Sequence, residues 1–493
     1  MRTSPPPRSL SLDRFVAASG VAVALSVTLY GVWVHLRLRP LDGVEGDLLF
    51  EASRIRSGLS LYTDPVVGAA DYGPVPARYY VLYPPLWALL LSSFPSASAF
   101  VVARALSALA WWGLLGYVAA TARATCRGPA VIAAGFVGGI YSLAEFGGSA
   151  RPDAMALLLA GLALVRSVRK GEVDVVAGAL FALAAWTKPN VIGLAPGAFL
   201  ACSVVARRPA IRGAIGAGVV SVGIAATLYV VSDGAWLAHL RAATGQPLHA
   251  RLLVGHLASR AQFFWTFFGF AGFCAWRRAP RAIGDPGATI AWGALVTSTL
   301  WCTLSFAKIG SAANYWMEPC VASVVALAHV PLPDLSRRGR LVVSLGLALQ
   351  VLWTGVGSVR ATIEALAVNA ARSALLERAR SVCKAGPDAL VVADEPGIEM
   401  TLDGRLVAHP FPLTHVALAG KYPLGPWLRD LRGPSVGCVV TAHDRIERPL
   451  TDVDVDYDYF APPVREALFD RFSPVAEAAG WEVYALRPRA SKR

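Results

Sequence analysis

The chain has 493 residues, 55% of them hydrophobic and only 16% charged, against roughly 25% charged in an ordinary soluble domain. That shortfall, spread over long apolar runs, excludes a conventional soluble enzyme and marks a polytopic membrane protein. The net charge of +13 would suggest nucleic acid in a soluble chain. Here the basic residues sit in short clusters between apolar runs, with no basic stripe and no interleaved aromatics, so no nucleic-acid partner is expected.

Arg2, Arg8 and Arg14 precede the first apolar segment, 15–36. It is longer than the roughly 7–15-residue core of a signal peptide, so it reads as a retained span. A spanning helix needs about 20 mostly apolar residues. The further candidates are 98–120, 129–146, 152–166, 173–187, 190–206, 212–232, 261–277, 287–306, 313–331 and 341–358, about 11 spans in all. The basic clusters are Arg123/Arg127, Arg166/Arg169/Lys170, Arg207/Arg208/Arg212, Arg277/Arg278/Arg281 and Arg337/Arg338/Arg340. With the N-terminus cytoplasmic, every cluster falls at an even-numbered span end and lands on that same side. The 37–97 insert, the turns at 147–151, 188–190, 233–260 and 308–312, and the tail after Arg360 then lie outside together.

Within the insert, Leu48, Ala52, Ile55 and Leu59 have helical spacing, which predicts a helix over 47–57 along the membrane surface. The Tyr- and Trp-rich 79–87 stretch, continuing to Pro95, predicts an interfacial or re-entrant helix. After Arg360 the pattern changes to that of a small outer α/β domain, dividing the chain at 1–360 and 361–493. An amphipathic helix is expected at 361–385, with strand-like runs at 389–394, 405–408, 436–441 and 481–486 and helices at 424–431 and 464–479. No phosphate-binding loop is visible. None of the seven cysteines forms a CxxC pair. Cys383 and Cys438, in the polar tail, could pair if that tail is extracytoplasmic.

Four polar groups stand out on the outer side. The first is Glu45-Gly46-Asp47, where a carboxylate beside the bilayer is either a general base or a solvated or helix-capping acid. The second is Arg151-Pro152-Asp153. Pro152 and Asp153 suit a helix start, whereas Arg151 is a positive charge on the side where positives are scarce, and suits a phosphate. The third is Lys188, in a very short outer turn, either a snorkelling lysine or an anion ligand. The fourth is Asn314, Tyr315 and Glu318 at the outer end of the tenth span, where polar side chains face a cavity or a partner, while Trp316 reads as an aromatic-belt residue. His239, His249 and His256 share an outer loop with Arg241, Arg251 and Arg260 but match no zinc spacing.

In type and order these motifs resemble the GT-C glycosyltransferases, the broad group that includes the family 39 protein mannosyltransferases and their bacterial relatives. The resemblance is carried by Glu45-Gly46-Asp47, Gly58-Leu59-Ser60-Leu61-Tyr62, Tyr83-Pro84-Pro85-Leu86, Arg151-Pro152-Asp153, Thr187-Lys188-Pro189 and Gly310-Ser311-Ala312-Ala313-Asn314-Tyr315. It implies a polytopic enzyme of the plasma membrane using a polyprenyl-phosphate sugar. The family often has two adjacent acids, and here Gly46 separates them. The expected roles are Asp47, or else Glu45, as base, with Arg151 and Lys188 on the donor phosphate and Asp153, Asn314 and Tyr315 orienting groups. Direct displacement with a base implies inversion at the anomeric carbon. No metal ligand set is assigned, and a divalent cation stays an open alternative. The acceptor is a glycan, lipid or protein hydroxyl. The rival readings are a lipid-linked sugar flippase or transporter, a non-catalytic envelope-assembly subunit, and an oligosaccharide-transferring ligase.

Overall fold

The computed structural model describes residues 43–70, 75–244, 248–260, 284–330, 337–383, 389–442, 445–447, 449, 459–478 and 480–487. The expected spans 15–36 and 261–277, and the cluster Arg277/Arg278/Arg281, lie outside the described residues.

The first element among the described residues is α1 (Gly43–Arg56), followed by an irregular excursion over 59–70 and 75–85 and a short α2 (Leu86–Ser92). The helical bundle follows: α3 (Ser96–Thr121), a 3-10 turn over Ala124–Cys126, α4 (Arg127–Gly139), α5 (Tyr141–Gly147), α6 (Asp153–Lys170), α7 (Val175–Thr187), α8 (Leu194–Val205), α9 (Arg207–Val231), α10 (Trp236–Thr244), α11 (Ala250–Arg260), α12 (Pro286–Ser305), a second 3-10 turn over Ala313–Trp316, and α13 (Met317–His329). The 47-residue α14 (Arg337–Cys383) leads into the C-terminal region. There β1 (Leu390–Ala393), α15 (Pro396–Leu402), α16 (Pro410–Leu418), α17 (Gly425–Arg432), β2 (Val436–Ala442), α18 (Pro462–Arg471), β3 (Phe472–Ala478) and β4 (Trp481–Leu486) complete the fold.

Three helices among the described residues are long and apolar enough to cross a membrane: 98–121, 207–231 and 286–305. In α9 the apolar side chains Ile211, Ile215, Val219, Val222 and Val230 point outward, exposed. That arrangement is unfavourable in water and favourable against lipid tails. The bundle core is built of small and branched residues of α3–α8, α12 and α13, with Trp111, Leu157, Leu194 and Val321 fully buried.

The sheet has the order β1-β2-β4-β3, with β1 parallel to β2 and the other pairs antiparallel. Its alternate residues serve two cores. Leu390, Val392, Val436 and Val439 pack with α16–α18 and with Val75 and Tyr80 of the first loop. Val391, Ala393, Cys438 and Val440 pack against Leu375, Leu376 and Ala379 at the end of α14. Both faces are covered, which is why these strands read as continuous apolar runs. A disulfide joins Cys383 at the end of α14 to Cys438 in β2.

Several local expectations are corrected. The first-loop helix is covered by the rest of the protein, with Leu48, Phe50 and Ala52 buried. Residues 79–84 are non-helical and the helix behind them is only Leu86–Ser92, with Pro85 as its N-cap, because Pro84 and Pro85 delay its start. The amphipathic 361–385 stretch is the continuation of α14 and not a separate helix. The 405–408 run is not a sheet strand; Ala408 bridges to Arg78 of the first loop. The expected 464–479 helix stops at Arg471, and Phe472–Ala478 is an edge strand. Pro474 cannot continue the helix and is tolerated at a sheet edge. The expected 129–146 span is interrupted at Ile140.

Candidate functional site

The two acids of the first loop have different environments. Glu45 is buried, and its carboxylate takes both a bidentate contact from Arg104 (2.9 and 2.6 Å) and the Ala150 amide (2.7 Å). Trp87 Nε1 donates to the Ala150 carbonyl and the Ser107 hydroxyl to that of Arg151. Glu45 therefore belongs to a clamp that fixes the turn presenting Arg151. Asp47, two residues on, contacts the Nδ1 of His409 through Oδ2.

Gly46 explains the gap between the acids. A Cβ there would lie 2.1 Å from the Gly397 nitrogen, so only glycine lets α1 meet the start of α15 backbone to backbone. His409 is brought to α1 by the first loop itself: the Arg78 amide donates to the Val407 carbonyl, and the His409 amide to that of Arg78. Arg78 also pairs with Asp430 at 2.6 Å. Pro410 then starts α16, leaving His409 at the junction. His409 was not singled out from the sequence. It sits outside every hydropathy pattern, and only the pairing of two remote loops sets it beside Asp47.

Asp153, Lys188 and Asn314 do converge. Lys188 Nζ contacts Asp153 Oδ1, and Asn314 Nδ2 donates to the same oxygen at 2.7 Å. All three are buried. The ammonium also lies 5.2 Å from the Tyr83 ring centroid. Tyr315 is reached by Asn190 Nδ2 at 2.7 Å, and Glu318 accepts from the Leu194 amide at the start of α8.

These groups border a cavity of about 580 Å³. Arg151, Asn314, Tyr315 and His409 line it; Asp47, Glu45, Asp153 and Lys188 lie behind its wall. Arg151 stacks its guanidinium 4.9 Å from the Phe146 ring. Lys308, which opens the fourth outer motif but has no role assigned from the sequence, reaches the cavity from the loop after α12 and donates to the Ala243 carbonyl. Burial pulls its ammonium below the usual lysine range. Gly310, with φ +74°, turns this loop back into the site. His239 bridges the irregular excursion, accepting the Val81 amide at Nδ1 and contacting the Thr63 carbonyl through Nε2. Desolvation lowers its pKa. Burial pushes the Tyr80 hydroxyl to about 12. One turn beyond Asp47, Glu51 is buried, its Oε2 has no hydrogen-bond partner among the described residues, and desolvation followed by the nearby Asp47 raises its pKa well above the carboxylate range. Among the described residues no three His, Cys, Asp or Glu side chains form a metal-holding group.

No family profile and no curated protein sequence matches this chain. Solved structures do. ArnT from Cupriavidus metallidurans bound to undecaprenyl phosphate superposes with a TM-score of 0.57 at 15% identity, over 97% of this chain and 100% of that one. The apo oligosaccharyltransferase of Archaeoglobus fulgidus gives 0.53 at 13% identity, over 99% and 76%. AglB from the same organism, in complex with an inhibitory peptide and a dolichol-phosphate, gives 0.50 at 13% identity, over 95% and 74%. The chain has the GT-C fold.

In this fold the cavity is bounded by two parts of the chain. The bundle and its loops contribute Arg151 and Lys308. The C-terminal region contributes His409, Phe411, His415, Glu395 and Tyr459. Cations within a largely apolar cavity attract an anion more strongly than they would in water. An imidazole backed by a carboxylate can accept a proton and hold the resulting charge.

Proposed function

We propose that this protein is a membrane glycosyltransferase, of the family 39 type within the GT-C group, that moves a sugar from a polyprenyl-phosphate donor to an acceptor hydroxyl at the outer leaflet. The observation that carries this reading is one cavity lined by Arg151 and Lys308 and by the Asp47-backed His409. Two of the superposed structures hold a polyprenyl phosphate, undecaprenyl in one and dolichol in the other. The Cys383–Cys438 disulfide favours an oxidising, extracytoplasmic setting for residues 361–493, with the N-terminus cytoplasmic.

In this reading His409 is the base that meets the acceptor, and Asp47 acts through it as the backing carboxylate. The acceptor O–H gives its proton to the imidazole, and Asp47 stabilises the imidazolium. The acceptor oxygen bonds to the anomeric carbon as the bond from that carbon to the phosphate oxygen breaks. Arg151 and Lys308 take up the charge left on the polyprenyl phosphate. One displacement inverts the anomeric carbon. Glu45, saturated by Arg104 and Ala150, positions the Arg151 turn; Asp153, Lys188 and Asn314 brace it from behind.

The test is transfer by purified, folded variants from candidate polyprenyl-phosphate sugars. Asp47→Asn and His409→Gln should each lower kcat by about 10²–10⁴-fold. Arg151→Ala should weaken donor binding. Full turnover in both Asp47→Asn and His409→Gln would overturn the assignment.

A further inference from the structure

Among the described residues lining the cavity, Glu395 is the one carboxylate. It stands between β1 and α15 and makes no side-chain cap bond to the helix it precedes. Its partner is Tyr459: the Glu395 charge, then burial, raises the pKa of that phenol, and the two side chains are hydrogen-bonded. Tyr459 is itself held. The Arg445 guanidinium stacks 3.6 Å from its ring centroid, and Arg445 is tied to Asp394 at 2.5 Å. Asp394 is fully buried and accepts the Thr441 hydroxyl and the Ala442 amide, at 3.0 and 2.8 Å. A relay from the buried end of the sheet thus fixes Glu395 and Tyr459 against the cavity. Beside them is the half-buried ring of Phe411, whose centroid is 5.1 Å from Tyr459 and 4.4 Å from His415.

This wall has the wrong charge for a phosphate. A carboxylate repels an anion, and the cavity's cations, Arg151 and Lys308, come from the bundle loops instead. A carboxylate paired with a phenol, next to an accessible aromatic face, matches a different ligand chemistry. Sugar hydroxyls donate to a carboxylate, and the C–H face of a pyranose or furanose ring packs on an aromatic surface. We propose that Glu395, Tyr459 and Phe411 form the sugar-ring subsite of this cavity, holding the glycosyl group of the donor while Arg151 and Lys308 hold its phosphate. This proposal rests on the polyprenyl-phosphate-donor reading above.

The experiment uses the full-length protein in lipid nanodiscs and follows tryptophan fluorescence, since Trp186 and Trp236 line the cavity. The probes are undecaprenyl phosphate alone, a panel of its pentosyl and hexosyl esters, and the corresponding free methyl glycosides. In the wild type at least one ester should bind more tightly than the bare lipid phosphate. Glu395→Gln, which keeps an acceptor for Tyr459, and Phe411→Leu should each cut that gain by about tenfold. Both should leave the affinity for bare undecaprenyl phosphate within about twofold, whereas Arg151→Ala should weaken both probes. Equal losses for both probes in Glu395→Gln, an undiminished gain, or no ester that gains in the wild type would overturn the subsite. So would a Glu395 dependence confined to free methyl glycosides, which would make the wall an acceptor site. Failure of the wild type to bind undecaprenyl phosphate at all would instead sink the donor reading, and the subsite with it.

Discussion

Substituting Lys188 by Met separates two roles for the buried Asp153–Lys188–Asn314 group. The ammonium and the carboxylate are 1% and 3% exposed, so neither is solvated by water once its partner is gone. Breaking a buried pair by removing one charge costs about 3–5 kcal/mol, because the other stays buried and uncompensated. Unfolding entropy of about 2 cal/mol/K per residue amounts to about 1 kcal/mol/K over this chain, so Tm should fall by about 3–5 °C. Asp153→Asn should fall similarly, leaving the ammonium alone. The double variant carries no buried charge and should recover to within about 1–2 kcal/mol of wild type. Thermal unfolding by intrinsic fluorescence in detergent supplies the cycle. Binding of undecaprenyl phosphate, measured alongside, reads the role. If Lys188 braces the Arg151 turn, both single variants weaken binding. If Lys188 were itself the phosphate ligand, Asp153→Asn would release the ammonium and tighten it. Single variants that lose under about 1 kcal/mol, or a double variant as unstable as the sum, would refute the buried-pair reasoning.

Other expectations follow from the same kind of bookkeeping. Glu51 has its pKa raised in the folded state, so its favourable contribution is complete below the unfolded value near 4.5 and is lost as pH rises toward the folded one. Glu51→Gln should therefore raise Tm, by more at pH 8 than at pH 5; an identical shift at both would contradict the burial effect. His239 has the opposite sign, its pKa being lowered by desolvation. Its contribution is intact above the unfolded value near 6.5 and is lost as pH falls below it, so wild-type stability should drop between pH 7 and 5 and that slope should flatten in His239→Gln. The Cys383–Cys438 bridge closes a separation of 55 residues, which corresponds to about 4 kcal/mol of chain entropy. Reduction, or replacement of both cysteines by Ser, should lower Tm accordingly, and a reductant-insensitive Tm would count against the bridge.

Sequence alone determined the features that depend on neighbours along the chain. The bundle helices are set by long apolar runs, and α9 is legible from Arg207–Val231 without any partner, since lipid asks only for apolarity and satisfied backbone. The short apolar strands β1, β2 and β4 are legible for the same reason, being buried on both faces. The outer-turn motifs pointed to Asp153, Lys188 and Asn314 as a group because each is a costly polar residue in an apolar context. What tertiary structure alone decided is which groups meet. Asp47 faces His409 because Arg78 bridges to Ala408 and because Gly46 admits the backbone of Gly397. Glu45 turns out to be saturated because Arg104, from α3, reaches it. Lys308 and Glu395 join one cavity from the loop after α12 and from the end of β1. Hydropathy and propensity are local quantities. Contacts between remote loops are set by the packing of the whole, and no spacing along the chain encodes them.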